Sequence, residues 1–266
     1  MRQKGKFSAP GHFFHLNAFT SAERVADQHS CSFGRHSLMT YPDIANPELL
    51  HLVSPQARRI CEFGCAGGAF ARAVKARQPE VYYVGIELML EPLERARQVM
   101  DVGLLRNLDH TGNWDDDPEM VAALPKDSFD HIIFGDVLEH LHDPSAVLRQ
   151  ALNLLAPGGS LLACIPNAQH WSVFANLVHG SWPRHDQGLF DRTHIRWFTL
   201  NDMVQLITTS GLTIETIIPR IFEDQEKGVE IMEYLEPLAF FLGADPSELV
   251  RRGLPLQYVF KAIRTS

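Results

Sequence analysis

Glu62-Phe63-Gly64-Cys65-Ala66-Gly67-Gly68 is the stretch whose residue types and spacing most directly imply chemistry. Glycines at the exit of a strand let the backbone turn tightly and approach a ligand. The helix that follows offers unpaired N–H groups at the same place. Glu62 narrows the choice of ligand, because a carboxylate just before the first glycine repels a pyrophosphate. It attracts a ligand carrying an ammonium and a sulfonium. A second acid, Glu87, lies 23 residues beyond Gly64 and is followed by Leu88. A carboxylate at the end of a second strand can accept both hydroxyls of a ribose. Either acid alone reads as an ordinary strand-end residue facing solvent; the pair, with a glycine turn between, reads as a nucleoside site.

The elements that must position these groups follow from the apolar pattern. Arg59–Gly64, Val81–Leu88 and Phe129–Gly135 read as strands, with a third strand and its exit loop in Leu104–Trp114. Helices are expected over Pro47–Val53, Ala69–Arg77, Glu91–Met100 and from Asp143–Pro144 to Leu155. Ser160–Ile165 is the next strand. Thr199 and Asp202 form a capping box for a helix ending at Gly211. Leu212–Ile218 and Leu256–Ile263 are later strands, with helices over Glu223–Leu242 and Pro246–Arg252. Strands alternating with helices imply an α/β fold: a Rossmann-like, doubly wound sheet, mostly parallel and covered on both faces.

Composition bounds the partners. The 266 residues carry a formal net charge of −8 with 45% hydrophobic residues, an ordinary globular balance. An acidic surface excludes nucleic acid as the main partner, since phosphate binding needs clustered Lys and Arg. No run of 18 apolar residues exists, so no membrane partner is expected. Cys31, Cys61, Cys65 and Cys164 form no C-x-x-C pair, which suits reduced thiols in a cytoplasmic protein. No metal site is expected, despite thirteen histidines. Residues 1–40 lack periodicity and read as an N-terminal arm, partly disordered with a short helix over Ser21–Gln28, or as a flap over the active site. The main domain is then residues 41–266.

The ordered set of motifs resembles the class I S-adenosylmethionine-dependent methyltransferases. Glu62–Gly68 is similar to that family's acid-x-Gly-Cys-Gly-x-Gly motif, with Ala66 where the second glycine is usual. Glu87 matches its second acid. Phe129-Asp130-His131-Ile132-Ile133-Phe134-Gly135-Asp136-Val137-Leu138-Glu139-His140-Leu141 resembles its fourth motif, and Leu155–Leu162 its turn into the fifth strand. The resemblance covers roughly residues 45–220. It implies S-adenosyl-L-methionine as cofactor, held by Glu62, Gly64, Cys65, Ala66, Gly68, Glu87, Leu88 and Asp136. It also implies a closing antiparallel hairpin of the last two strands, with residues 223–252 inserted between them. An acid or amide followed by an apolar residue belongs after the third strand, at the adenine. Asn113 and Trp114 suit those roles, with Asp115 and Asp116 as rivals.

Methyl transfer to a hydroxyl needs a group that removes a proton, and histidine suits that work near neutrality. His140, His142, His170 and His194 are candidates. Asp191-Arg192-Thr193-His194-Ile195-Arg196-Trp197-Phe198-Thr199 resembles a segment of a subgroup associated with surface polysaccharide and secondary-metabolite pathways. His140 or His194 is the expected base, oriented by Asp191 or Glu139. Both histidines have a purely structural alternative, in holding the cofactor loop or pinning a lid. Residues 168–198, with Trp171, Phe174, Leu177, Val178 and Trp182, read as a lid over the acceptor, or as core or a homodimer face. The expected activity is O-methylation of a small-molecule or sugar acceptor. Alternatives are N- or C-methylation, a non-catalytic cofactor-binding subunit and, disfavoured by Glu62, a dinucleotide oxidoreductase.

Overall fold

The computed structural model describes residues 44–109, 112–222 and 225–264. The expectations for residues 1–40, with the helix over Ser21–Gln28 and Cys31, lie outside the described residues. Helix starts fall where local chemistry places them. Asn46 caps α1 (Pro47–Leu52), its side chain accepting from Glu48 N and Leu49 N at 3.1 Å. The chain continues through β1 (Arg59–Phe63), α2 (Ala69–Arg77), β2 (Tyr82–Glu87), α3 (Leu90–Ala96) and β3 (Val102–Leu105). After α4 (Pro118–Ala123) and β4 (Phe129–Gly135), Asp143 caps α5 (Pro144–Leu152), accepting from Ala146 N at 2.9 Å. Then come β5 (Leu155–Pro166), α6 (Trp171–Val178) and α7 (Leu200–Thr209), which opens on the Thr199/Asp202 capping box. The chain closes with β6 (Leu212–Arg220), α8 (Gln225–Phe241), α9 (Pro246–Gly253) and β7 (Gln257–Arg264).

Among the described residues the strands form one sheet in the order β3-β2-β1-β4-β5-β7-β6. Pairing is parallel from β3 to β5, and β7 runs antiparallel between β5 and β6. The doubly wound sheet and its terminal hairpin are as expected, with α8 and α9 inserted in the hairpin connection. Successive side chains of a strand face opposite layers. Cys61 and Phe63 of β1 pack with α4, α5 and α7, whereas Ile60 packs with α1, α2 and α3. The chain winds outward from β1 to β3 and restarts at β4, so a crevice opens beyond the carboxyl ends of β1 and β4. Among the described residues no helix is long and apolar enough to cross a membrane.

Two boundaries bear on the site; elsewhere α3 ends at Ala96 rather than Met100 and α5 at Leu152 rather than Leu155. β3 ends at Leu105, and the stretch expected as its exit loop runs on into a 3-10 turn at Trp114–Asp116 and then α4. Elements this short carry too little periodicity to register. β5 begins at Leu155 rather than Ser160, because a register irregularity against β4 lets the strand run through Pro157-Gly158-Gly159.

Candidate active site

The glycine turn caps the carboxyl end of β1. Gly64 N and Cys65 N donate to Ile86 O at 2.8 and 3.1 Å, so the turn is tied to β2. Gly64 has φ +72°, and a Cβ there would sit 2.4 Å from Val137 Cγ2, just beyond β4. Glycine is required by conformation and by contact. Gly68, at φ +77°, is the N-cap of α2 and supplies no side-chain cap, leaving the first N–H groups of that helix for a ligand. Ala66 holds φ +44°, an unusual conformation for a residue with a Cβ.

Glu87 stitches this turn together. Its Oε2 accepts from Ala66 N at 2.9 Å, and its Oε1 from Leu88 N and Met89 N at 2.8 and 2.9 Å. A carboxylate has about four acceptor positions, so one remains for a ribose hydroxyl. Leu88 beside it is 61% exposed, an apolar face open at the edge of the crevice. Glu62 behaves differently from a solvent-facing acid. It is buried, its Oε2 accepts from the Tyr83 hydroxyl at 2.8 Å, and burial pushes its carboxyl up to about 8. The Tyr83 bond opposes that rise and Glu87 adds to it. A cationic amino-acid tail would therefore be met by a carboxyl that must first lose its proton. Cys65 is buried, and burial raises its thiol, so it serves the turn as a small apolar residue. Together these groups fit S-adenosylmethionine: Gly64–Gly68 and the α2 N-terminus at the amino-acid end, Glu87 and Leu88 at the nucleoside.

The residues expected at the adenine take structural roles. Trp114 is 5% exposed and stacks on Phe63 with ring centroids 5.2 Å apart, inside the core. Asn113 caps the 3-10 turn, accepting from Asp115 N at 3.2 Å. The β3 exit is instead Arg106-Asn107-Leu108-Asp109, tied to β2 by Arg106 N donating to Glu87 O at 2.9 Å. Asn107 and Leu108 are the amide and apolar residue that follow the third strand. The sequence reading placed them within the strand and exit loop of Leu104–Trp114 and did not single them out. The backbone bond to Glu87 is a tertiary contact with no local signature.

Asp136 sits at the end of β4 with φ +57°. Gln257 Nε2 of β7 donates to its Oδ1, Arg220 of β6 donates to Gln257 Oε1 at 2.6 Å, and Arg220 pairs with Glu48 of α1 at 2.9 Å. Burial raises the Asp136 carboxyl to about 6, opposed by the Cys164 hydrogen bond and by Arg220.

One turn further, Leu138–His140 forms a 3-10 turn onto which residues 191–198 fold. Ile195 N and Arg196 N both donate to Glu139 O at 3.0 Å. His140 Nδ1 lies 3.2 Å from Thr193 O and 3.0 Å from Thr193 Oγ1, and Thr193 Oγ1 donates to Asp191 Oδ1 at 2.6 Å. His194 Nδ1 lies 3.0 Å from Leu189 O. A carbonyl can only accept, so both imidazoles carry their proton on Nδ1 and present a lone pair at Nε2. Their centroids are 4.8 Å apart, and burial lowers the pKa of each. Glu139 is 1% exposed, its Oε1 is 3.7 Å from His194 Nε2, and neither carboxylate oxygen has a hydrogen-bond partner. Burial first, and Asp136 second, push its pKa well up. The four residues named as catalytic candidates are thus in one place. His142 and His170 take other work: His142 pairs with Asp109 at 3.0 Å, and His170 caps α6, where burial lowers its pKa to about 4.

Residues 168–198 bear an aromatic cluster. Trp182 meets Trp197 at 4.6 Å and Phe190 at 5.5 Å, and Trp197 meets His194 at 5.9 Å. Val173, Leu189 and Phe190 form a small core of their own.

Known proteins agree with this geometry. Residues 33–217 match the family model described as a methyltransferase domain. A ubiquinone biosynthesis O-methyltransferase of Psychrobacter arcticus is 27% identical over 60% of this chain and 61% of its own length. One from Aeromonas salmonicida is 33% identical over 59% of this chain and 63% of its own. The chain thus spans less than two thirds of these curated relatives. Among solved structures, an S-adenosylmethionine-dependent methyltransferase from Mesorhizobium loti superposes with TM-score 0.53 at 21% identity. It covers 82% of this chain and 96% of its own. A possible histamine N-methyltransferase from Thermotoga maritima superposes with TM-score 0.54 at 18% identity, over 84% and 90% of the two chains. With the glycine turn, the strand-end acid, the sheet order and the family match all in agreement, the chain belongs to the methyltransferase-domain family of class I S-adenosylmethionine-dependent methyltransferases.

Proposed function

We propose that this protein transfers a methyl group from S-adenosylmethionine to an oxygen of a small-molecule acceptor. The observation that carries this reading is the pair of imidazoles beyond β4, His194 buried and His140 half-buried, each with its Nδ1 proton held by a backbone carbonyl and its Nε2 lone pair available. Bound S-adenosylmethionine supplies a methyl carbon already made electrophilic by its sulfonium. What the protein must add is alignment and a proton acceptor, because a hydroxyl is a poor nucleophile until its proton leaves. Burial keeps both imidazoles neutral at pH 7, the form that accepts a proton. His140 is the better candidate, since Asp191 steadies it through Thr193 and stabilises the imidazolium that forms. His194 presents its Nε2 to Glu139 Oε1 across 3.7 Å.

The relatives' shared name, ubiquinone biosynthesis O-methyltransferase, supports oxygen as the receiving atom. It favours a quinone-pathway molecule over the sugar considered from the sequence. The Trp182, Phe190 and Trp197 rings supply an apolar wall of the kind a planar acceptor needs. The test is transfer of labelled methyl to a panel of hydroxyl acceptors, quinone precursors and sugars included, alongside amines and carbon nucleophiles. Product bearing a new O-methyl group is the expected result. Tight binding of S-adenosylhomocysteine without turnover on any hydroxyl would leave a cofactor-binding subunit instead.

A further inference from the structure

We propose that Glu139, His140 and His194 bind one divalent transition-metal ion, on whose open coordination positions the acceptor oxygen sits. The use of the ion deepens the O-methylation reading and rests on it; the binding itself does not.

One donor atom from each of the three side chains lies within 4.8 Å of the other two, and His194 Nε2 is 3.7 Å from Glu139 Oε1. Donors about 2.0–2.2 Å from an ion stand roughly 3–4 Å apart, so a small inward rotation of one ring closes the set. The outer contacts are already those of metal-bound histidines. Each imidazole points Nδ1 at a backbone carbonyl, Leu189 O or Thr193 O, which orients Nε2 and strengthens it as a ligand.

Glu139 supplies the independent observation. It is 1% exposed, and both carboxylate oxygens are buried without a hydrogen-bond donor. Such a group is costly to bury, and native structures satisfy it or use it. Across 3.7 Å its Oε1 meets an imidazole nitrogen that, because Nδ1 of the same ring bonds to Leu189 O, carries no proton. Two lone pairs facing each other across 3.7 Å repel, and a cation between them turns that repulsion into two bonds.

Two imidazoles and one carboxylate suit zinc, iron(II), manganese or cobalt(II) rather than calcium or magnesium. Three protein ligands leave positions open for the acceptor oxygen. A hydroxyl on such an ion sheds its proton to solvent at lower pH than a free one. The imidazoles then act as ligands, and the ion replaces them as the means of activating the oxygen. The sequence hid this site because His194 lies more than fifty residues from Glu139 and His140 and meets them only where residues 191–198 fold onto the β4 exit.

The test is titration of the full chain, freed of metal by a chelator and dialysed, with Co²⁺ and detection of its visible absorption. One equivalent is expected to bind with the intensified bands of a low-coordinate histidine site. Glu139→Gln and His194→Ala should each weaken binding on the order of 10- to 100-fold or more, and His179→Ala should leave it unchanged. Circular dichroism and S-adenosylhomocysteine binding verify that each variant is folded; if Glu139→Gln is not, His194→Ala carries the test. The proposal is overturned if the wild-type binds no stoichiometric Co²⁺, or binds it equally well in both variants. Full-rate hydroxyl methylation by metal-free protein would remove the ion and keep the proposed function. Stoichiometric Co²⁺ binding without hydroxyl turnover would do the reverse.

Discussion

Two carboxylates mark the two halves of the crevice, and the fold treats them in opposite ways. Glu87, on the β2 side, is fed by three backbone N–H groups and locks the glycine turn to the start of α3. Glu139, on the β4 side, is more deeply buried, and its carboxylate oxygens have no hydrogen-bond partner. The first half is preorganised by its own backbone, so its geometry does not wait for a ligand. The second half keeps the Glu139 carboxylate unpartnered beside two imidazoles held only through Nδ1, which is the condition of a site that takes up a proton or an ion. Binding precision and chemical reactivity are thus built from the same residue types under different accounting of hydrogen bonds.

The sharpest way to break this contrast is on the reactive side. His140→Ala should lower kcat by about 100- to 10,000-fold, the range expected for losing the group that activates the acceptor oxygen, as its proton acceptor or as a ligand of the ion that takes over that work. Its KM for S-adenosylmethionine should hardly move, and steady-state kinetics at saturating acceptor separates the two. A comparable fall in cofactor affinity would instead place His140 on the binding side.

Gly64→Ala tests the binding side at its tightest point. The new methyl would lie 2.4 Å from Val137 Cγ2 on a backbone already at φ +72°. A loss on the order of 2–4 kcal/mol in stability is expected, from overpacking and left-handed strain together. Urea denaturation, with calorimetry for S-adenosylhomocysteine, reads both consequences. An unchanged midpoint would mean the turn is looser than its contacts imply.

Glu62→Gln sharpens the electrostatics. An acid near 4.5 in the unfolded chain and about 8 in the folded one retains its proton on folding, so wild-type stability falls as pH rises from 4.5 to 8. The variant lacks that loss, and the difference between the two should grow by about 1.4 kcal/mol per pH unit in that window. Parallel curves would show that Glu62 ionises freely. A companion measurement is calorimetry of S-adenosylhomocysteine at pH 7 in buffers of different ionisation enthalpy. Wild-type binding should release a proton and Glu62→Gln binding should not.

Ala66→Gly is expected to have the smallest effect. It relieves about 1–2 kcal/mol of left-handed strain and gives back roughly 0.5–1 kcal/mol through the greater freedom of glycine in the unfolded chain. A net gain under 1 kcal/mol, seen as a slightly higher Tm, would agree with a turn that tolerates its alanine.

What was legible in the sequence was local or periodic. The glycine turn, the acids at two strand ends, the helix caps at Asp143 and Thr199, and the alternation of strands and helices all announce themselves within a few residues, because backbone conformation and capping are short-range. Asn113 and Trp114 were assigned to the adenine because the end of β3 cannot be read where strands are short; the bond from Arg106 N to Glu87 O, which sets Asn107 and Leu108 directly after the strand, joins distant strands. Glu62 announced its charge, but only the core around Tyr83 decided that the charge is suppressed. The histidines were visible as candidates, yet their tautomers, their convergence and the isolation of Glu139 depend on residues 191–198 closing over the β4 exit. Residue chemistry belongs to the sequence; ionisation and partnership depend on which distant groups exclude water, and that is settled only by packing.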